Sequence, residues 1–90
     1  MPNRARPIPT GVEINGEKLR VMRKLRGASL SEFAVKAEIS YGYLSQIETR
    51  NRERVSPRIY GRICDALDIP ADQRDILLTP TARRRVKAAA

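Results

Sequence analysis

Histidine is missing from this sequence altogether, tryptophan likewise, and cysteine occurs once, at Cys64. Without a His and a second Cys, the usual zinc sites, a disulfide framework, a His-based triad and a thiol–imidazole pair are all excluded. No metal, no cofactor and no enzymatic activity is therefore expected. Aromatic residues make up only 4% of the 90 residues. The core must be small and aliphatic, in a chain that buries only about 60 to 65% of its unfolded surface, which suits a compact helical bundle. No apolar run approaches the roughly 20 residues of a membrane span. The opening residues 1–10 are rich in Pro and Arg and lack the apolar stretch of a signal peptide. A single soluble domain in the reducing cytoplasm is the expectation, with no membrane partner.

Positive charge is what the sequence has in excess. Eighteen Lys or Arg against ten Asp or Glu give a formal charge of +8. So basic a small chain calls for a polyanion, nucleic acid first and an acidic membrane surface second. Residues 16–26 carry a net +4 and residues 80–90 another +4, while 55–79 are near neutral. A third cluster, Arg50, Arg52 and Arg54 interrupted by Glu53, falls in an expected loop, where phosphates can be met.

Pro2, Pro7, Pro9 and Gly11 bar a helix from residues 1–14, which read as an N-terminal arm whose Val12 and Ile14 can pack on the domain as a short extended segment. Five short helices are predicted after it. The first has Asn15 as N-cap, places Leu19, Met22 and Leu25 on one face and ends at Gly27. The second opens with a capping box of Ser29 and Glu32 and presents Leu30, Phe33, Ala34 and Ala37. Ser40 caps the third, from Tyr41 to about Thr49, whose apolar pair is Leu44 and Ile47. Ser56-Pro57 starts the fourth, burying Ile59, Tyr60, Ile63, Ala66 and Leu67. The fifth is expected from Pro70 through Ile76, Leu77 and Leu78, with Pro80 stopping it. The fold class is all-α, with a domain over 15–79 and a basic tail over 80–90.

The second and third helices are separated only by Glu38 and Ile39 or thereabouts, a sharp turn of helix-turn-helix type. Four pieces in order, Gly16-Glu-Lys-Leu-Arg20-Val-Met-Arg23, Ser29-Leu-Ser-Glu-Phe-Ala34, Ile39-Ser-Tyr-Gly-Tyr-Leu44-Ser-Gln-Ile-Glu48 and Ser56-Pro57 leading to Ala66-Leu67-Asp-Ile69, resemble the Cro and phage-repressor (XRE) family. The resemblance spans about two thirds of the chain. It implies a lambda-repressor-like domain of five helices with the third in the major groove of DNA.

At roughly 100° per residue, Tyr41, Gly42, Ser45, Gln46 and Thr49 share one side of the third helix, away from Leu44 and Ile47. That side is polar and free of acids. Gln can pair with adenine and Tyr can offer a ring and a hydroxyl to base edges; an ordinary solvated face is the alternative reading. The resemblance implies base contacts from Tyr41, Gly42, Ser45 and Gln46, with Tyr43 on the flank toward the core. Phosphate contacts are expected from Ser29 and Ser40 at helix N-termini, from Tyr43 and Thr49, and from Arg50, Arg52 and Arg54. Arg50 departs from the family pattern, standing where a Gly is common, and so does Val55, where a Pro is common. Arg23 and Glu48 match a family pair tying the first helix to the end of the third; as separate sites each would be a solvent-exposed charge. Arg83, Arg84 and Arg85 of the tail, with Arg4 and Arg6 of the arm, either stay solvated or meet phosphates. The final Val86-Lys-Ala-Ala-Ala90 also resembles, faintly, Ala-ended tags read by bacterial proteases. Cys64 is expected to be a buried, inert filler.

These residues are read as a bacterial or phage-encoded, sequence-specific double-stranded DNA-binding regulator, nucleoid-associated, acting as a repressor at an operator. A homodimer on DNA is expected, through Ile76, Leu77 or Leu78 unless these complete the core. The alternative is the antitoxin of a toxin–antitoxin pair, which binds its own operator and a toxin, so that a toxin or co-regulator is a candidate protein partner.

Overall fold

The computed structural model describes residues 11–89, with side chains through Val86. Among these residues are five α-helices, a 3-10 segment and two strands of two residues each. The expected arm contacts Arg4 and Arg6 lie outside the described residues.

Local chemistry sets the helix boundaries. In α1 (Gly16–Leu25) the Asn15 side chain accepts from Lys18 N at 3.1 Å, Glu17 lies in the first turn and Gly27 follows the helix at φ +73°. In α2 (Leu30–Ala37) the capping box is complete: Ser29 Oγ accepts from Glu32 N, and Glu32 Oε1 accepts from Ser29 N. Ser40 caps α3 (Tyr41–Glu48) and Ser56 caps α4 (Pro57–Ala66), whose Pro57 stands in the first turn.

Leu19, Phe33, Leu44, Ile47, Ile63, Cys64, Leu67 and Leu77 form the fully buried centre. Phe33 is the largest of them, so α2 supplies the pivot for its neighbours α3 and α4. Burial raises the Cys64 thiol above its ordinary pKa, which fits an inert filler. Leu25, expected on the apolar stripe of α1, is instead 82% exposed. The stripe is narrower than the three-residue spacing suggested, because Arg23 takes the inward place in the last turn.

The C-terminal part corrects the sequence reading. Residues Ala71–Leu77 form a 3-10 segment kinked at Gln73 (φ −120°) rather than a full helix. Pro80 does not stop a helix but begins one, α5 (Pro80–Ala89), with Thr79 Oγ1 accepting from Ala82 N at 3.2 Å. A Pro in the first turn forfeits no helical hydrogen bond, as at Pro57. The basic tail is thus a helix whose Ala82 is buried. Leu77 completes the core, while Ile76 and Leu78 are half-buried beside it.

The end of the arm belongs to the same folded unit. β1 (Val12–Glu13) pairs antiparallel with β2 (Arg54–Val55), Val12 opposite Val55 and Glu13 opposite Arg54, and Ile14 bridges to Leu78. Glu13 accepts from Arg54 Nη2 (2.5 Å), Thr79 Oγ1 (3.0 Å) and Arg85 Nη1 (3.3 Å). The Thr79 hydroxyl, with help from the two guanidinium groups, holds its carboxyl below the ordinary range.

A Cβ on Gly16 would lie 1.9 Å from the Ile47 carbonyl oxygen. Gly16→Ala is therefore expected to force α1 from α3 and destabilise by about 1 to 3 kcal/mol or more, measured by urea unfolding. Because the folded-state pKa of Glu13 is depressed, its contribution is complete above the unfolded-state value and fades as pH falls through the folded one. The gap in unfolding midpoint between wild type and Glu13→Gln should thus narrow from pH 7 to pH 3, and parallel curves would contradict the assignment.

Candidate nucleic-acid interface

A chain reversal of three residues aims α3. Glu38 adopts φ +60°, and Glu38 N and Ile39 N donate to the carbonyls of Val35 and Ala34. This is the left-handed helix ending that lets the next helix begin at once. Leu44 and Ile47 then point into the core, and the opposite side faces outward.

Behind α3 lies a buried ion pair. Arg23 Nε donates to Glu48 Oε2 at 2.7 Å, Nη2 to Oε1 at 2.9 Å, and Nη1 to the Ala28 carbonyl at 2.8 Å. Both residues are less than a tenth exposed. The hydrogen bond to Glu48 raises the pKa of Arg23 above its usual value. The pair joins α1 to the last turn of α3, so the tilt of the outward face is set from behind.

On that face Tyr41 is 56% exposed, Gln46 is exposed and Ser45 is half-buried. Gly42 is exposed, with open space where a side chain would stand. The first turn of α3 contains no acid. Thr49 Oγ1 donates to the Ser45 carbonyl at 2.9 Å and accepts from Asn51 Nδ2, so its proton is engaged within the protein.

The two serine caps differ. Ser40 Oγ accepts from Tyr43 N at a helix start without a carboxylate. At Ser29 the backbone N–H is taken by Glu32, whose carboxyl it holds below the usual range, and that negative charge competes with a phosphate. Ser40 is the better placed for an anion.

The arginines of the loop part company as well. Arg50 adopts φ +67°, which explains why Gly suits this position, and its guanidinium makes only a long contact with Glu17 (3.8 Å). Arg54 lies in a strand and is neutralised by Glu13. Arg52 turns back onto α3: its Nε donates to Gln46 Oε1 at 3.3 Å and its guanidinium carbon stands 4.6 Å from the centre of the Tyr43 ring. In α5, Arg83 pairs with Asp75 and Arg85 with Glu13. Arg84 is exposed and beside Ile76 and Leu78 at a surface cleft.

Sequence reasoning missed Arg20 as a neighbour of this face. It lines a shallow cleft with Leu30, Ser45 and Thr49. Only the place of α1 against α3 brings it there. No cluster of three or more His, Cys, Asp or Glu that could hold a metal occurs among the described residues. The outward face thus offers hydrogen-bond donors and acceptors flanked by two cations, Arg20 on one side and Arg52 on the other.

Comparison with known proteins gives this arrangement its family. The helix-turn-helix domain family matches residues 16–77. The chain is a helix-turn-helix protein of the XRE type. It is 41% identical over 58 residues to the transcriptional regulator ClgR of Mycobacterium tuberculosis, covering 64% of this chain and 51% of that one. The chain spans about half the length of the curated relatives it matches. Among solved structures, SinR of Bacillus subtilis, the master regulator for biofilm formation, in complex with DNA is 31% identical with a TM-score of 0.62, covering 68% of this helix-turn-helix chain and 97% of that one. The clp gene regulator ClgR of Corynebacterium glutamicum is 29% identical with a TM-score of 0.62, over 90% and 87% of the two chains.

Breaking the buried pair tests its role in this helix-turn-helix unit. Glu48→Ala leaves the Arg23 guanidinium without its counter-charge and is expected to cost about 3 to 5 kcal/mol in denaturant unfolding. A loss within 0.5 kcal/mol would mean that solvent reaches the pair.

Proposed function

We propose that this protein is a transcriptional regulator, and not an enzyme, that binds operator DNA with α3 in the major groove. The observation that carries the reading is the acid-free outward face of α3, braced from behind by the buried Arg23–Glu48 pair. In this reading Tyr41, Gly42, Ser45 and Gln46 meet base edges. Ser40, Tyr43, Thr49 and Arg50, with smaller roles for Ser29 and Arg54, lie toward the phosphates. The SinR complex with DNA and the regulators named ClgR support it. Repression by occupying promoter DNA is the simplest mode for such a domain, and its place is the cytoplasm, on the nucleoid.

A dimer on DNA is part of the proposal, because one short helix reads only a few base pairs. Ile76 and Leu78, half-buried and beside Pro80, offer an apolar surface for it, whereas Leu77 is spent in the core. A solved SinR–SinI complex shows that one relative pairs with a second protein. A co-regulator, or a toxin if the chain is an antitoxin, has a place in the same scheme.

The test is binding to an operator mapped by protection of DNA upstream of its own gene, compared with scrambled duplex over a range of salt. If about six phosphates are neutralised, the slope of log affinity against log salt should be near −5. Two protected half-sites should lie roughly 34 Å apart. Gln46→Ala should lose about 1 to 3 kcal/mol on the operator and little on scrambled DNA. A flat salt profile, or equal losses on both duplexes, would overturn the reading.

A further inference from the structure

We propose that Arg52 is a base-reading residue specific for guanine rather than a phosphate contact of the loop. The inference rests on the DNA-binding reading above and deepens it.

Three contacts hold this residue, two of them through its side chain. Its backbone N–H donates to the Gln46 carbonyl at 3.0 Å, its Nε to Gln46 Oε1 at 3.3 Å, and its guanidinium stacks on the Tyr43 ring. No carboxylate pairs with it among the described residues, whereas Arg26, Arg54, Arg74, Arg83 and Arg85 each have one. Stacking occupies one face of the guanidinium and Gln46 occupies its Nε edge. The two terminal Nη groups remain, a planar fork beside the outward face of α3.

That fork matches a pair of acceptors side by side. In the major groove only guanine presents two, N7 and O6; adenine pairs N7 with a donating amino group, thymine offers O4 alone and cytosine a donor. A phosphate also accepts two hydrogen bonds. It needs no side chain oriented by a recognition-helix glutamine, however, and a mobile arginine serves it as well.

Arg52 also settles which way Gln46 points. A guanidinium only donates, so the amide atom facing it is the oxygen, and Nε2 with its two hydrogens is turned away from Arg52. Gln46 then presents donors beside a positive charge and favours an acceptor edge, in place of the two-sided adenine contact that glutamine alone suggests.

Selection from a randomised duplex pool with the full chain tests this, in parallel for wild type, Arg52→Lys and Arg52→Ala. Lysine keeps the charge and loses the fork. The wild-type pool should carry a guanine at one fixed place in each half-site, and the Arg52→Lys pool should lose it while keeping the remaining consensus. At that place 7-deazaguanine, which lacks the N7 acceptor, should weaken wild-type binding by about 5- to 150-fold and Arg52→Lys binding little. Identical consensus sequences for wild type and Arg52→Lys, with Arg52→Ala only lowering the salt slope by about one, would make Arg52 a phosphate contact and overturn the proposal alone. If the wild type selects no sequence, both this inference and the DNA-binding reading fall. Arg52 is exposed, so each variant should unfold at the wild-type midpoint.

Discussion

The interaction on which the rest depends is the buried pair of Arg23 and Glu48. Two charges removed from water are tolerated only because the carboxylate takes two of the guanidinium's donors and the Ala28 carbonyl a third. Such a pair adds little net stability over well-packed apolar side chains. Its geometry is what it supplies: a fork meets a carboxylate in one plane, so the end of α3 can hold only one rotation relative to α1. Gly16 closes the same joint from the other end, where the first turn of α1 touches the Ile47 carbonyl and leaves no room for a Cβ. An apolar contact alone would allow α3 to slide; these two together do not.

Short helices require sharp endings, and the described residues include three made without glycine. Glu38, Arg50 and Asp68 all have φ near +60°, a conformation that costs a side-chain-bearing residue roughly 1 kcal/mol or more. Glu38 and Asp68 are followed by Ile39 and Ile69, which pack on the core or enter it, so the endings are held by burial just beyond them. At Arg50 the following residues instead lead outward to Arg52. The left-handed residue there throws the loop clear of α3 and then lets it fold back over Tyr43 and Gln46.

What was legible in the sequence was whatever local chemistry decides. Asn15, Ser29, Ser40 and Ser56 announce their helices because a capping oxygen works at fixed spacing, whatever the rest of the chain does. The Thr79-Pro80 pair carries the same signal as Ser56-Pro57. A proline after an apolar run reads as a stop, and only the cap before it makes this one a start. The candidate face was legible as an exposed side of α3, since periodicity separates exposed Gln46 from buried Ile47. The fates of single charges were not. Leu25 faces water and Arg23 the core because of the partner at Glu48, 25 positions away in the chain. Arg54 and Arg85 are drawn to Glu13, and Arg52 to Tyr43, by contacts that no spacing within one helix encodes.

Charge pairing, more than charge number, decides where positive charge is left uncompensated. A formal +8 could spread evenly over so small a surface. Instead Glu13 absorbs Arg54 and Arg85, Asp75 holds Arg83, Asp68 holds Arg26 and Asp65 holds Arg74. Arg20 and Arg52 make no ion pair among the described residues, and they stand on the two flanks of α3. Unpaired cations on either side of an uncharged helix face concentrate positive potential along that helix. In the proposed reading a duplex drawn toward them would meet Tyr41, Gly42 and Gln46 between the two, so that the long-range attraction and the short-range hydrogen bonding would act at one place.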